Sequence, residues 1–174
     1  MTAARRRDEI LQALAGASGP VSAAALAARL GVSRQVEVGD VALLRAAGSP
    51  IVATPRGYVL GGGQEGGGVR CTVACRHGLD GLLDELYTVA DCGCGVLDVT
   101  VEHPVYGQLS GQLQVFSRYD ADVFWDALQK NGAQPLCSLT GDIHLHTLVC
   151  PDEARKARVL AALEEKGYLM GLEK

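Results

Sequence analysis

Apolar residues recur at helical spacing through Ile10, Leu11 and Leu14, with Gly16 where a left-handed cap would sit, which predicts a helix over residues 4–15. Ser22 stands as N-cap to a second helix carrying Leu26 and Leu30 four apart and closed by Gly31. Ser33 caps a third, from Arg34 to Ala47, with Val38, Val41 and Leu44 inward and Gly48 at its end. The short connection Gly31-Val32-Ser33 suits two helices that cross steeply, as in a helix-turn-helix. Two β-prone runs follow, Ile51-Val52-Ala53 and Tyr58-Val59-Leu60, around Thr54-Pro55-Arg56-Gly57, whose proline and glycine suit a type I turn. Three helices and a hairpin with an arginine at its tip predict a winged helix.

The remainder has a different rhythm. Val69 to Cys75 is β-prone, and Leu79, Leu82, Leu83 and Leu86 mark a helix reaching Val89. Val96 to His103 alternates, with Leu97, Val99, Val101 and His103 on one face, and Leu109, Leu113 and Val115 continue the alternation beyond a bend at Pro104. Val123, Phe124, Ala127 and Leu128 mark another helix, stopped at Asn131-Gly132. Leu136 to Leu139 and Asp142 to Cys150 read as one or two strands, and a last helix begins at Pro151-Asp152-Glu153 and ends at Lys166-Gly167. The order βαββαβ followed by α predicts an α+β sandwich with helices on one sheet face and the other face free for a ligand.

Charge sharpens the division. Residues 1–60 hold seven arginines against Asp8, Glu9, Glu37 and Asp40, a net +3, while the rest of the 174-residue chain carries −7. Six glycines in the eight residues 61–68 separate the halves, a composition expected of a flexible linker between a domain over 1–60 and one over 69–174. No apolar run approaches the roughly 18 residues of a membrane span, and no apolar stretch follows Arg5-Arg6-Arg7, so a cytoplasmic protein with no membrane partner is expected. The six cysteines then read as reduced thiols or metal ligands rather than a disulfide frame.

In the basic half, Arg34 and Gln35 are placed to read bases in the major groove. Arg56 and the Arg5 to Arg7 cluster suit phosphate, and Ser33 and Thr54 complete the candidate DNA-binding residues. Glu37 lies three positions after Arg34, where it would pair with that arginine and repel phosphate, and Gly39 costs about 1 kcal/mol against alanine in a helix. A three-helix unit used for docking rather than DNA is the alternative.

All four histidines, His77, His103, His144 and His146, lie in the acidic half. His144-Leu145-His146 puts two imidazoles on one face of a strand, about 7 Å apart at the backbone, either a chelate for one ion or two ordinary surface histidines. His77 precedes a helix on which Glu85 lies about 12 Å further along, so both reach one ion only if His77 folds back, and spacing does not choose Glu85 over Asp84. Cys71, Cys75, Cys92 and Cys94 form a rival four-thiolate set without zinc-ribbon spacing, and strand cysteines are more often small buried hydrophobes.

Val32-Ser33-Arg34-Gln35-Val36, Asp40-Val41-Ala42-Leu43-Leu44-Arg45 and Ile51 through Leu60 resemble the winged helix of niacin-responsive transcriptional repressors. Val101-Glu102-His103-Pro104-Val105-Tyr106-Gly107 and His144-Leu145-His146-Thr147, with His77 upstream, resemble the 3H domain that follows it in that family. The resemblance implies a repressor of genes for niacin salvage, transport and NAD synthesis, not an enzyme, that binds operator DNA as a homodimer with nicotinic acid as co-repressor. It implies a divalent metal ion, nickel or zinc, on His77, Glu85, His144 and His146, with His103 and Tyr106 at the ligand. Glu37 and Gly39 depart from the family's recognition helix. A metal-responsive regulator indifferent to niacin, and a metal-dependent enzyme acting on a niacin-like molecule, are the alternatives.

Overall fold

The computed structural model describes residues 2–61 and 68–171, so most of the glycine-rich stretch over 61–68 lies outside the described residues. The chain divides into two compact units, Met1–Glu65 and Gly66–Lys174. No helix among the described residues is long and apolar enough to cross a membrane.

The first unit contains α1 (Ala3–Ala15), α2 (Ala23–Leu30), α3 (Arg34–Ala46) and the hairpin β1 (Ile51–Thr54) and β2 (Gly57–Leu60). Ser22 and Ser33 cap α2 and α3, their hydroxyls accepting from Ala25 and Val36 backbone N–H groups. Gly31 closes α2 in the left-handed region at φ 65°, whereas Gly16 closes α1 at φ −85°, a right-handed ending where a left-handed cap is expected. Ile10, Leu14, Leu26, Leu30, Val41, Leu44 and Ile51 make the core.

The rotational phase of α3 differs from the expected one. Its inward stripe runs through Glu37, Asp40, Val41 and Leu44, leaving Val38 43% exposed and Glu37 fully buried. Positions i, i+3, i+4 and i+7 share a helix face, and starting that series at 37 carries a carboxyl inside and turns Val36, Val38 and Leu43 out. Glu37 is therefore not on the surface beside DNA. The buried Asp40 takes the guanidinium of Arg6, and Arg7 stands 3.6 Å from it, tying α1 to α3. Arg5 pairs with Glu9 one turn on. Of the basic cluster assigned to phosphate, Arg6 and Arg7 thus hold two helices together.

The second unit runs β3 (Val69–Arg76), α4 (Leu79–Asp91), β4 (Gly95–His103), β5 (Gly107–Val115), α5 (Arg118–Asn131), a 3-10 helix (Leu136–Thr140), β6 (Ile143–Cys150) and α6 (Glu153–Glu165). The sheet is antiparallel in the order β3-β6-β4-β5. The βαββαβα order and the α+β class agree with the sequence reading, with two local differences. Leu136 to Leu139 belongs to the 3-10 helix rather than a strand, since Pro135 lacks an N–H and Gly141 ends the turn at φ 62°. In β4 the register shifts between Val96 and Asp98, so Val96, fully buried, joins Val99 and Val101 on the core face in place of Leu97.

That core face, carrying Val73, Cys75, Val96, Leu113, Leu148 and Cys150, packs against Leu82, Leu86 and Val89 of α4 and Val159 and Leu163 of α6. Period-two alternation along β6 puts His144 and His146 on the same side as Leu148 and Cys150. The histidine pair thus lies on the helix-covered face, not on the open one expected to hold a ligand.

Candidate functional site

Three imidazoles converge on one carboxylate oxygen. His77 Nε2 is 2.5 Å from Glu85 Oε2, and His144 Nε2 and His146 Nε2 are each 3.3 Å from the same atom. Glu85, His144 and His146 are buried. β6 supplies two of the rings, α4 the carboxyl, and the loop before α4 supplies His77, folded back over Gly81, where a Cβ would stand 2.9 Å from the His77 side chain. The neighbouring Asp84 points elsewhere, accepting from Lys166 and the Tyr168 hydroxyl, whose hydrogen bonds hold its carboxyl below the usual range. Packing, not spacing, separates the two acids.

Each outer nitrogen is held by a backbone carbonyl. His77 Nδ1 lies 2.9 Å from the Gly78 carbonyl, His144 Nδ1 3.0 Å from that of Asp142, and His146 Nδ1 2.7 Å from that of Asp98. A carbonyl only accepts, so each Nδ1 carries a proton, and each Nε2 faces Glu85, where it holds either a proton shared with the carboxylate or, once that proton is lost, a lone pair open to a cation. Three lone pairs and an anionic oxygen cannot face one another stably without a cation or protons among them. Carbonyl-anchored imidazoles are also how metal-binding histidines are oriented.

Charge couples the four groups. Burial pushes the Glu85 carboxyl up, but His146, His144 and His77 outweigh it and hold Glu85 well below the usual carboxylate range. Burial pulls His77 and His146 down, and the Glu85 carboxylate reverses this, leaving both raised. Glu85 Oε1 is buried and meets no N–H or O–H donor, and the Cys75 thiol stands against the same carboxylate. A divalent cation fits this donor set of imidazoles and carboxylate.

Beside these groups is a small cavity of about 30 Å³, room for a water-sized group, whose walls include Leu82, Leu86, Val99, Leu113, Phe124 and Leu136. His103 and Tyr106 are not among its lining residues. His103 ends β4, and its Nδ1 accepts from the backbone N–H groups of Val105 and Tyr106, closing the β4–β5 turn. Tyr106, 75% exposed, stacks loosely on His103 with ring centroids 5.1 Å apart. The rival four-thiolate set is not formed among the described residues. Cys71 and Cys75 stand four positions apart on one strand, about 13 Å, too far to share an ion. Cys75 instead lies near Glu85 and His144.

The second candidate surface is in the first unit. Arg34 and Gln35 are exposed in the first turn of α3, while the Ser33 hydroxyl is occupied by its capping bond, 3.3 Å from Val36 N. A groove of about 310 Å³ runs between α2, α3 and the hairpin, with Ser22, Arg34, Thr54, Arg56 and Tyr58 in its walls. Thr54 shapes the hairpin tip: its hydroxyl donates to the Gly57 carbonyl and accepts from Arg56 N. The hairpin is held against the start of α2 by paired backbone hydrogen bonds between Val21 and Tyr58. Gly57 permits this approach: at φ 136° a Cβ there would stand 2.3 Å from the Val21 carbonyl oxygen.

The family profile described as the 3H domain matches residues 70–172, and the profile described as an HTH domain matches residues 6–59. The chain is 43% identical over 165 residues to the probable transcription repressor NiaR of Thermotoga maritima, covering 95% of this chain and 93% of that protein. It is 40% identical over 169 residues to the transcription repressor NadR of Bacillus subtilis, covering 96% and 94%. With an arginine-bearing helix-turn-helix in one unit and a buried histidine-carboxylate cluster in the other, this chain belongs to the 3H-domain family of DNA-binding transcription repressors.

Proposed function

We propose that this repressor senses a small pyridine carboxylate, nicotinic acid by resemblance, through a divalent metal centre on His77, Glu85, His144 and His146, and binds operator DNA as a homodimer to silence genes of niacin uptake and NAD synthesis. The observation that carries the reading is the convergence of three Nε2 atoms on Glu85 Oε2, each ring tied by Nδ1 to a backbone carbonyl. That arrangement is built for a cation. When bound there, the ion supplies a fixed positive charge that draws a carboxylate into an otherwise apolar pocket.

The chain's own residues do the rest. Leu82, Leu86, Val99, Leu113 and Phe124 exclude water and offer flat apolar walls for a ring. At about 30 Å³ the cavity is smaller than a pyridine, so entry requires its lining to draw back. Ligand held there would fix the relation of two copies of this domain. Two α3 helices held one DNA turn apart, about 34 Å, then enter successive major grooves together, and the affinities for ligand and operator rise reciprocally. Arg34 and Gln35 read base edges, and Arg56 meets phosphate or the minor groove.

The test is calorimetric titration of nicotinic acid into metal-loaded and chelated protein, followed by fluorescence anisotropy on duplexes selected from a random pool. Saturable binding that needs the metal, with operator affinity raised by the ligand, is the expected result. Operator affinity that follows the metal and ignores nicotinate leaves a metal-responsive regulator. Turnover of a niacin derivative by the purified protein would make the centre an enzyme's.

A further inference from the structure

We propose that the Cys75 thiolate is a further ligand of the metal, joining His77, Glu85, His144 and His146 in a mixed sulfur, nitrogen and oxygen centre. Such a centre takes a borderline-soft divalent ion, of the zinc, cobalt(II) or nickel(II) class, in preference to magnesium or manganese. This rests on the metal reading above and extends it to a residue outside the four-ligand set.

Placement begins with register. In the β3–β6 pairing Cys75 stands directly opposite His144, and both point to the helix-covered face, so thiol and imidazole enter the site side by side. Cys75 Sγ, a Glu85 carboxylate oxygen and a His144 ring nitrogen all lie within 4.8 Å of one another. Donors bound to one ion at about 2.0–2.3 Å in tetrahedral array stand roughly 3.3–3.8 Å from each other, so closing on an ion demands shifts of about 1 Å. Cys75 has no exposed surface. Its backbone is paired on the outer side by the segment after α6: it bridges Leu169, Arg76 N donates to the Tyr168 carbonyl, and Met170 N donates to that of Ala74. Tyr168 also covers His77, with ring centroids 5.0 Å apart.

A buried cysteine is ordinarily a small hydrophobe, and Cys75 does contribute to the core. What sets it apart from Cys150, on the same face of the sheet, is its company, since it is the thiol grouped with a carboxylate and an imidazole. The charge balance favours the assignment. On binding, the sulfur–metal bond forms and the S–H proton leaves to solvent. The Glu85 carboxylate and the Cys75 thiolate then neutralise a divalent ion, which lowers the cost of holding it in a buried site.

Cobalt(II) distinguishes the donors. The full-length protein is stripped with a chelator under reducing conditions, loaded with cobalt(II), and scanned from the near ultraviolet through the visible, alongside Cys75→Val and Cys75→Ala. Expected are visible ligand-field bands in all three proteins, an intense near-ultraviolet sulfur-to-cobalt charge-transfer band in the wild type alone, and no change on adding excess magnesium. Ligand-field bands without charge transfer in the wild type overturn the role of Cys75 and leave the histidine centre standing, a result that does not depend on either variant folding. Charge transfer that survives in both variants also overturns it, because the sulfur then comes from another cysteine. Absence of ligand-field bands altogether overturns the metal reading, and this proposal with it.

Discussion

Glu37 is the least comfortable residue in the winged helix, and replacing it should make the protein more stable. The side chain is fully buried among the residues that join α3 to the rest of the unit, and neither carboxylate oxygen has a hydrogen-bond partner. Burial raises its pKa above the usual carboxylate range, Arg34 opposes this, and Asp40 adds a smaller push upward. A buried polar group without partners costs about 1–3 kcal/mol, more when charged. Glu37→Met keeps the length and the unbranched shape while removing both oxygens. The expected gain is at least about 1–3 kcal/mol at neutral pH, and a unit of 60–100 residues shifts its melting point by about 4–8 °C per kcal/mol.

The pH dependence fixes the cause. A raised folded-state pKa means that the native chain holds the proton more tightly than the unfolded one, so stability is highest below the ordinary carboxylate range. It declines as pH rises from there through the raised value and is flat above it. The advantage of Glu37→Met should therefore be small in acid and grow to a plateau toward neutrality. Glu37→Gln, which removes the charge and leaves an unpaired amide, should recover the pH-dependent part only. Differential scanning calorimetry of the full-length chain reads the transition, and the single tryptophan, Trp125, identifies by its fluorescence which transition belongs to the second unit. If Glu37→Met melts lower than wild type, or its advantage is the same at every pH, the account of Glu37 as an unpaired buried acid is wrong.

Other consequences follow from the same geometry. Gly57→Ala should cost the first unit at least about 1–3 kcal/mol, read by the same calorimetry, because the backbone sits at φ 136° and the added Cβ meets the Val21 carbonyl at 2.3 Å; an unchanged transition would sink that reading. Chelation should lower the melting point reported by Trp125 and leave the first unit's transition alone, and His146→Ala should abolish the difference. Metal affinity, measured by competition with a chromophoric chelator, should rise with pH, by up to about tenfold per unit for each imidazole that is protonated in the metal-free protein, and an affinity that does not weaken in acid would exclude the histidines. Arg56→Ala should weaken binding to cognate and random duplexes alike and lower the salt slope by about 1, whereas Arg34→Ala should cost about 1–3 kcal/mol on the cognate site only; equal losses for Arg34→Ala on both would remove it from base reading.

Much of this was written in local pattern. Serine caps, the Gly31 turn and the proline-glycine hairpin each act within a few residues, so the three helices and the wing follow from neighbours in sequence alone. His144-Leu145-His146 on one strand face is likewise local, since alternation along a strand is a property of its own backbone. What escaped lay in the phase and company of these elements. The sequence could not tell that α3 would turn Glu37 inward and Val38 outward, because the three-dimensional packing of α1 and the hairpin selects the buried stripe, and Asp40 on that stripe is satisfied by Arg6, thirty-four positions away. It could not anticipate the irregularity that exchanged Val96 for Leu97 on the core face, which arises only where β4 meets β6.

The site divides in the same way. Residue type and alternation determined that His144 and His146 stand together and that cysteines and carboxyls were available nearby. Only the tertiary structure chose Glu85 over Asp84, by rolling one face of α4 onto the sheet and leaving the other to Lys166 and Tyr168, and only it brought Cys75 opposite His144. A chelating pair needs one strand, which the chain specifies by itself, whereas a closed centre needs a helix, two strands and a folded-back loop at one point. That point exists only once the core of the domain has packed.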